Sequence, residues 1–166
     1  QEVETEAHRG VTRGHPDVSR TKGHDLRHLE VTVGLKRGRT RGPAKKTLER
    51  ELALEAARMC NDDKCTDIVL LDVRELSQVT DYIVIGTGTS DRQMRSVLDH
   101  IEDLGKERGF PVYRVSRDDR AAWLLADFVD VVVHLFEPNA RAHYDLEMLW
   151  GDAPKVDWRR SGTPKQ

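Results

Sequence analysis

Apolar side chains recur along this chain with two different periods, and the switches between them mark out its elements. Leu48, Leu52, Ala56 and Met59 return every three to four positions, the spacing of one helical face, and predict an amphipathic helix from about residue 46 to Asn61. Residues 67–73, Asp-Ile-Val-Leu-Leu-Asp-Val, read as a first strand. A short connection through residues 75–80 leads to Tyr82, Ile83, Val84 and Ile85, a compact β-branched run that reads as a buried strand. Gly86-Thr-Gly-Thr89 breaks this run, and Ser90 with Gln93 has the Ser-x-x-Gln spacing of a capping box. The helix that starts there carries Met94, Val97, Leu98, Ile101 and Leu104 on one face and closes at Gly109.

The second half repeats the alternation. Residues 112–115 after Pro111 read as a third strand, residues 117–120 as a charged turn, and residues 122–126 and 129–136 as two further strands. Only Asp127 and Phe128 separate the last two, which predicts a tight hairpin. Pro138 suits the first turn of a helix running to about Trp150, with Gly151 just past its end. The order α-β-β-α-β-β-β-α predicts an α/β domain with a mixed five-stranded sheet flanked by helices. The helical crossover favours a parallel pair and the hairpin an antiparallel one.

Charge divides the chain. Residues 1–44 hold nine Lys or Arg against six Asp or Glu, whereas the remainder holds eighteen against twenty-three. The first segment has six glycines and no sustained periodicity, so it is expected to be a basic, largely disordered extension. Its end, residues 36–46, is a basic run with interspersed glycine. It reads either as a nonspecific contact to RNA phosphates or as a solvated linker. Residues 45–154 form the expected domain, and residues 155–166 an irregular tail. A 37% hydrophobic and 34% charged composition suits a cytoplasmic protein. No apolar run reaches the roughly 18 residues of a membrane span, and no secretory leader opens the chain, so neither is expected. Cys60 and Cys65, the two cysteines, read as free thiols, with no His at zinc-finger spacing.

Candidate chemistry narrows the reading further. Gly86-Thr-Gly-Thr-Ser-Asp91 follows a strand and opens a helix as a dinucleotide fingerprint would, but Asp91 puts a negative charge where a pyrophosphate would sit. Asp91 is better explained as a partner of the helix dipole. No phosphate-loop Gly-Lys-Ser/Thr occurs. Asp127 and Asp130 are three apart, missing the two-residue parity that would aim both carboxylates from one strand face at a metal, and read as solvated turn residues. His134, among valines, reads as a core or sheet-face histidine, and no motif joins a nucleophile to it or to His143. No catalytic set, cofactor or metal is therefore expected. What remains is surface: Trp123, Phe128, Tyr144 and Trp150 cluster in the hairpin and final helix, as a protein-binding patch would require. Trp123 alone fits either a binding anchor or a core residue.

Three ordered blocks, residues 80–93, 123–136 and 144–154, resemble the ribosomal silencing factor (RsfS/Iojap) family, across roughly residues 46–154. The resemblance implies a small α/β fold related to nucleotidyltransferases but without their active-site acids, and hence no enzyme. It implies binding to the large ribosomal subunit through its fourteenth protein, on the face that meets the small subunit. Subunit joining would be blocked there and translation repressed under nutrient limitation. Homodimers are expected off the ribosome. Trp123 and Tyr144 match family positions associated with the contact. Asp127, Phe128 and Asp130 belong to the same hairpin and complete the candidate partner-binding set. Two departures stand out: Val129 replaces the usual Gly between the hairpin acids, and Arg117 to Arg120 replace a Glu-Gly before the Trp strand. A nucleotidyltransferase-like enzyme acting on a nucleoside triphosphate is the alternative.

Overall fold

The computed structural model describes residues 42–117 and 122–161. The basic extension through residue 41, residues 118–121 and residues 162–166 lie outside the described residues, so of the charged turn expected at 117–120 only Arg117 is described, and it ends β3.

The chain forms α1 (Pro43–Asp62), β1 (Thr66–Asp72), β2 (Tyr82–Thr87), α2 (Asp91–Glu107), β3 (Arg114–Arg117), β4 (Trp123–Asp127), β5 (Val131–Phe136), α3 (Pro138–Tyr144) and α4 (Leu146–Leu149). The five strands make one mixed sheet in the order β1-β2-β5-β4-β3. Only β2 and β5 are parallel, in register from Tyr82 opposite Val131 to Thr87 opposite Phe136. The other three pairs are antiparallel. The crossover and hairpin expected from the sequence therefore give the mixed sheet observed.

Both α1 and α2 pack on one face of the sheet. There Tyr82, Val84, Leu124, Ala126, Val131, Val133 and Leu135 meet Leu52, Ala53, Ala56, Met94, Val97, Leu98 and Ile101 in one core. The α2 face is the one predicted, and its N-terminus is capped by Ser90, whose hydroxyl accepts from the Gln93 amide at 3.2 Å. The phase of α1 differs from the prediction. Glu49, Leu52, Ala53, Ala56, Ala57 and Cys60 are buried, while Leu48 is 50% exposed. With four alanines in the helix, small side chains define the packed stripe, and the larger Leu48 falls outside it.

The end of α1 is a Schellman motif. Cys65 N–H donates to Cys60 C=O at 2.8 Å and Lys64 N–H to Asn61 C=O at 3.0 Å, with Lys64 in the left-handed position at φ +69°. A register shift between Thr66 and Val69, with Asp67 at φ +48°, follows before β1 settles against β2.

Four more boundaries differ from the expectation. First, β3 begins at Arg114 rather than residue 112, because Phe110 and Val112 pack against the core from the preceding loop. Second, the hairpin loop is three residues, Phe128 to Asp130, not two. Asp130 N–H donates to Phe128 C=O at 2.9 Å across Val129, which sits at φ +73°. That hydrogen bond and φ define a three-residue turn of the strained kind. Third, the single final helix is two short ones. Asp145 at φ +42°, ψ +58° ends α3 and caps α4, its carboxylate accepting from Met148 N–H at 3.3 Å. Aspartate tolerates the left-handed angle better than most residues and can cap from it. Fourth, residues 152–161 are irregular but docked. Asp72 N–H donates to Pro154 C=O, Val156 N–H to Leu70 C=O, and the buried Trp158 indole to Ile68 C=O at 3.2 Å.

A β-branched residue at positive φ costs more than the roughly 1–2 kcal/mol of an ordinary left-handed residue, whereas glycine adopts that angle freely. We therefore expect Val129→Gly to stabilise the fold by about 1 kcal/mol, measured as a higher urea midpoint with unchanged slope. A loss of stability would show that the turn is not strained at this position.

Candidate partner-binding surface

The glycine turn after β2 is built as a helix cap. Gly88 N–H donates to Phe136 C=O at 2.8 Å, Thr89 N–H to the Gln93 side-chain oxygen at 2.8 Å, and Gln93 N–H to Ser90. The Gly88, Thr89 and Gln93 amides, which a phosphate at this turn would call on, are thus engaged by protein oxygens. The side of Gly88 where a Cβ would lie is filled by Met94, whose Cγ would come within 2.0 Å of it.

Alternation along the strands sends Trp123, Leu125 and Asp127 of β4 and Val132, His134 and Phe136 of β5 to the face opposite α1 and α2. Trp123 is 3% exposed. Its ring lies 4.9 Å from Phe136, 4.7 Å from Tyr144 and 5.8 Å from His134, centroid to centroid. The indole N–H donates to His134 Nδ1 at 3.1 Å. An indole can only donate, so Nδ1 is the bare acceptor nitrogen in this arrangement. Of the two readings of Trp123, burial gives packing: the ring is the inner layer of an aromatic cluster, not an exposed projection. Tyr144, half-buried at the end of α3, lies over it.

Arg141 fixes this end of the molecule. One guanidinium nitrogen donates to Thr87 Oγ1 at 2.7 Å, at the end of β2, and the others hold Glu147 on α4. The left-handed break at Asp145 then turns Leu146 inward, while Met148 and Leu149 are left 80% and 53% exposed. Sequence reasoning missed Met148, Leu149 and Arg141. In one continuous helix, no signal distinguishes Met148 and Leu149 from core positions; only the break exposes both.

The remaining candidates gather elsewhere. Asp127, Phe128 and Asp130 lie at the other end of β4, four residues or about 13 Å from Trp123. Thus Trp123 and Tyr144 come together, and the three hairpin residues do not join them. Nor are the aspartates solvated, as the spacing suggested: both are buried. Asp127 folds back to accept from Val129 N–H at 2.7 Å. Asp130 faces Lys45 Nζ at 3.6 Å, which also lies 3.6 Å from Glu49, and the Asp130 carbonyl receives N–H groups from Asp81 and Tyr82. Phe128 is a core residue packed on Gly105 of α2, where a Cβ would come within 2.3 Å of its ring. Burial pushes the Asp127 carboxyl above the ordinary aspartate value, the Val129 amide opposing it.

Comparison with known proteins places these features in a family. Residues 46–166 match the family model described as "Ribosomal silencing factor during starvation". Ribosomal silencing factor RsfS of Bacillus subtilis is 43% identical over 102 residues, covering 61% of this chain and 86% of that protein. The mouse protein named Mitochondrial assembly of ribosomal large subunit protein 1 is 33% identical over 95 residues, 55% of this chain and 42% of its own length. A crystal structure of a Chromobacterium violaceum protein superposes with a TM-score of 0.56 at 34% identity, covering 62% of this chain and 83% of that one.

Two outcomes follow from the geometry. Trp123→Ala should cost about 3–5 kcal/mol of stability and Trp123→Phe less, read from chemical denaturation; an unchanged midpoint for the alanine variant would remove Trp123 from the core. Asp127, with its folded value raised, adds stability that is complete below the unfolded aspartate value and is lost as pH rises through the folded value. Asp127→Asn keeps the acceptor for Val129. It should therefore gain stability over the parent at pH 7, a gain that fades as pH falls through the raised folded value and is gone below about pH 3.9. An equal difference at both pH values would contradict this.

Proposed function

Because the chain belongs to the ribosomal silencing factor family, its model matching residues 46–166, we propose that it silences translation by docking on the large ribosomal subunit. The contact is with that subunit's fourteenth protein, on the face that meets the small subunit, and the docked body blocks subunit joining sterically when nutrients are limiting. No chemical step is required of it, and the setting is the cytoplasm. The name of the mouse relative, which concerns the large subunit, supports that choice of subunit.

The observation that carries the contact is the apolar end of the domain: Tyr144 over Trp123, with Met148 and Leu149 exposed beside it on α4. Exposed methionine and leucine next to a half-buried tyrosine make the kind of surface whose burial drives association. In this reading Tyr144, Met148 and Leu149 touch the partner and Trp123 backs them. Asp127, Phe128 and Asp130 lie at the opposite end of β4, where their hairpin holds the exposed Val129 outward as a second, separate point of contact. The chain forms a homodimer when off the ribosome. Basic residues from Lys36 to Lys46 add nonspecific contacts to ribosomal RNA. Lys45 is the exception, since its ammonium faces Glu49 and Asp130.

The test is sedimentation with isolated subunits. The full chain should travel with large subunits and not small ones. Met148→Glu combined with Leu149→Glu should weaken that binding by about thirtyfold, the value of a buried anchor worth about 2 kcal/mol, at an unchanged melting temperature. Full affinity in this variant would place the contact elsewhere on the domain.

A further inference from the structure

Cys60 and Cys65 are drawn together by the way α1 ends. In a Schellman motif the third residue from the helix end and the second residue beyond it carry side chains that meet, and here those residues are the two cysteines. Both are buried and neither is in a disulfide. Both flank Gly86, where an added Cβ would lie 3.7 Å from the Cys65 Cβ and 3.9 Å from the Cys60 Cβ. The Cys65 sulfur is also 3.7 Å from the Gln93 side-chain nitrogen, which donates to Asp63 C=O at 2.8 Å.

A groove of about 310 Å³ is lined by Asp63, Ser90, Arg92, Gln93, Ser96 and Val97, and the side-chain nitrogen of its Gln93 is 3.7 Å from the Cys65 sulfur. Both cysteines border the core, Cys60 fully buried and Cys65 6% exposed between the exposed Lys64 and Thr66. The segment between them is irregular, with Lys64 and Asp67 both at positive φ and a register shift at the start of β1. Local opening of such a segment costs less than opening the sheet.

We propose that Cys60 and Cys65 form a peroxide-sensitive dithiol, in which Cys65 attacks a small hydroperoxide reaching it through this groove and Cys60 resolves the product to an intramolecular disulfide. In the first step the Cys65 sulfur forms a bond to a peroxide oxygen and the O–O bond breaks. With hydrogen peroxide, the departing hydroxide leaves as water with the Cys65 thiol proton. In the second step the Cys60 sulfur displaces the oxygen from the Cys65 sulfenic acid. The S–S bond forms and a second water leaves with the Cys60 proton. Two thiols are oxidised and one peroxide is reduced to two waters. The division of roles follows the hydrogen bonding. The bond from Cys60, assisted by Gln93, holds Cys65 below the usual thiol value and so favours its thiolate. The same pairing, with burial, pushes Cys60 well above it. The disulfide would close the end of α1 onto the start of β1, beside the groove and the cap of α2.

The test exposes the purified full chain to hydrogen peroxide without denaturant, then alkylates it in denaturant and measures intact mass. The expected product is monomeric, takes up no alkylating reagent and is lighter than the reduced chain by about 2 Da. Cys60→Ala should stop at a Cys65 sulfenic acid that a 1,3-dione probe traps. Cys65→Ala should leave Cys60 reduced. Two alkylatable thiols in the parent, at peroxide doses that oxidise a free cysteine peptide, would overturn the proposal. So would oxidation of Cys60 in the Cys65→Ala variant at the parent's rate. The parent measurement needs no substitution, so it decides even if a variant fails to fold.

Discussion

The parallel pairing of β2 with β5 is the constraint from which the rest of this structure follows. Every residue of both strands is buried. Parallel neighbours cannot be joined by a tight turn, so the chain must leave β2, cross over and return. Here α2, β3 and β4 make that crossing, and β4 re-enters against β5 as a hairpin. At one end, Asp130 C=O accepts the N–H groups of Asp81 and Tyr82, tying the hairpin loop to the start of β2. At the other end Thr87 and Phe136 finish side by side. In open α/β sheets the edge outside the carboxyl ends of the strands is where ligands bind. In this chain that edge is filled, by Met94 under Gly88 and by Arg141 fastening α3 and α4 to Thr87. A filled crevice presenting α4 outward suits a surface that docks on another macromolecule.

Much of this architecture was legible because local signals and burial agree. The Tyr82–Ile85 run, the Ser90–Gln93 cap and the Met94–Leu104 face each carry one meaning, and each appears where the pattern puts it. The phase of α1 was not legible, because a stripe of alanines has little contrast with its neighbours and Leu48 is the larger apolar side chain. The fate of the hairpin acids was hidden for a different reason. Aspartates at a turn are normally solvated. Here one folds onto its own turn, and the other meets Lys45 from the first turn of α1, far away in sequence. The break at Asp145 carries no glycine or proline to announce it, yet it decides which side chains of the final segment face outward.

The aromatic cluster also separates two roles that a sequence combines. Trp123 is held by packing against three rings and a hydrogen bond to His134, so it acts in the fold. Tyr144 shares that packing while keeping part of its ring at the surface, and α4 adds Met148 and Leu149 beside it. Substitutions at Trp123 therefore act through stability first, whereas Met148 and Leu149, being exposed, can be changed at little cost to the fold.

The central claim, that this chain silences by keeping the two ribosomal subunits apart, is tested most directly by subunit joining itself. Isolated large subunits are incubated with the full chain, small subunits are added, and the joined fraction is followed by light scattering. The account predicts that joining falls as the chain saturates the large subunits, while preincubation with small subunits has no effect beyond dilution. Normal joining by large subunits that demonstrably carry the bound chain would contradict it.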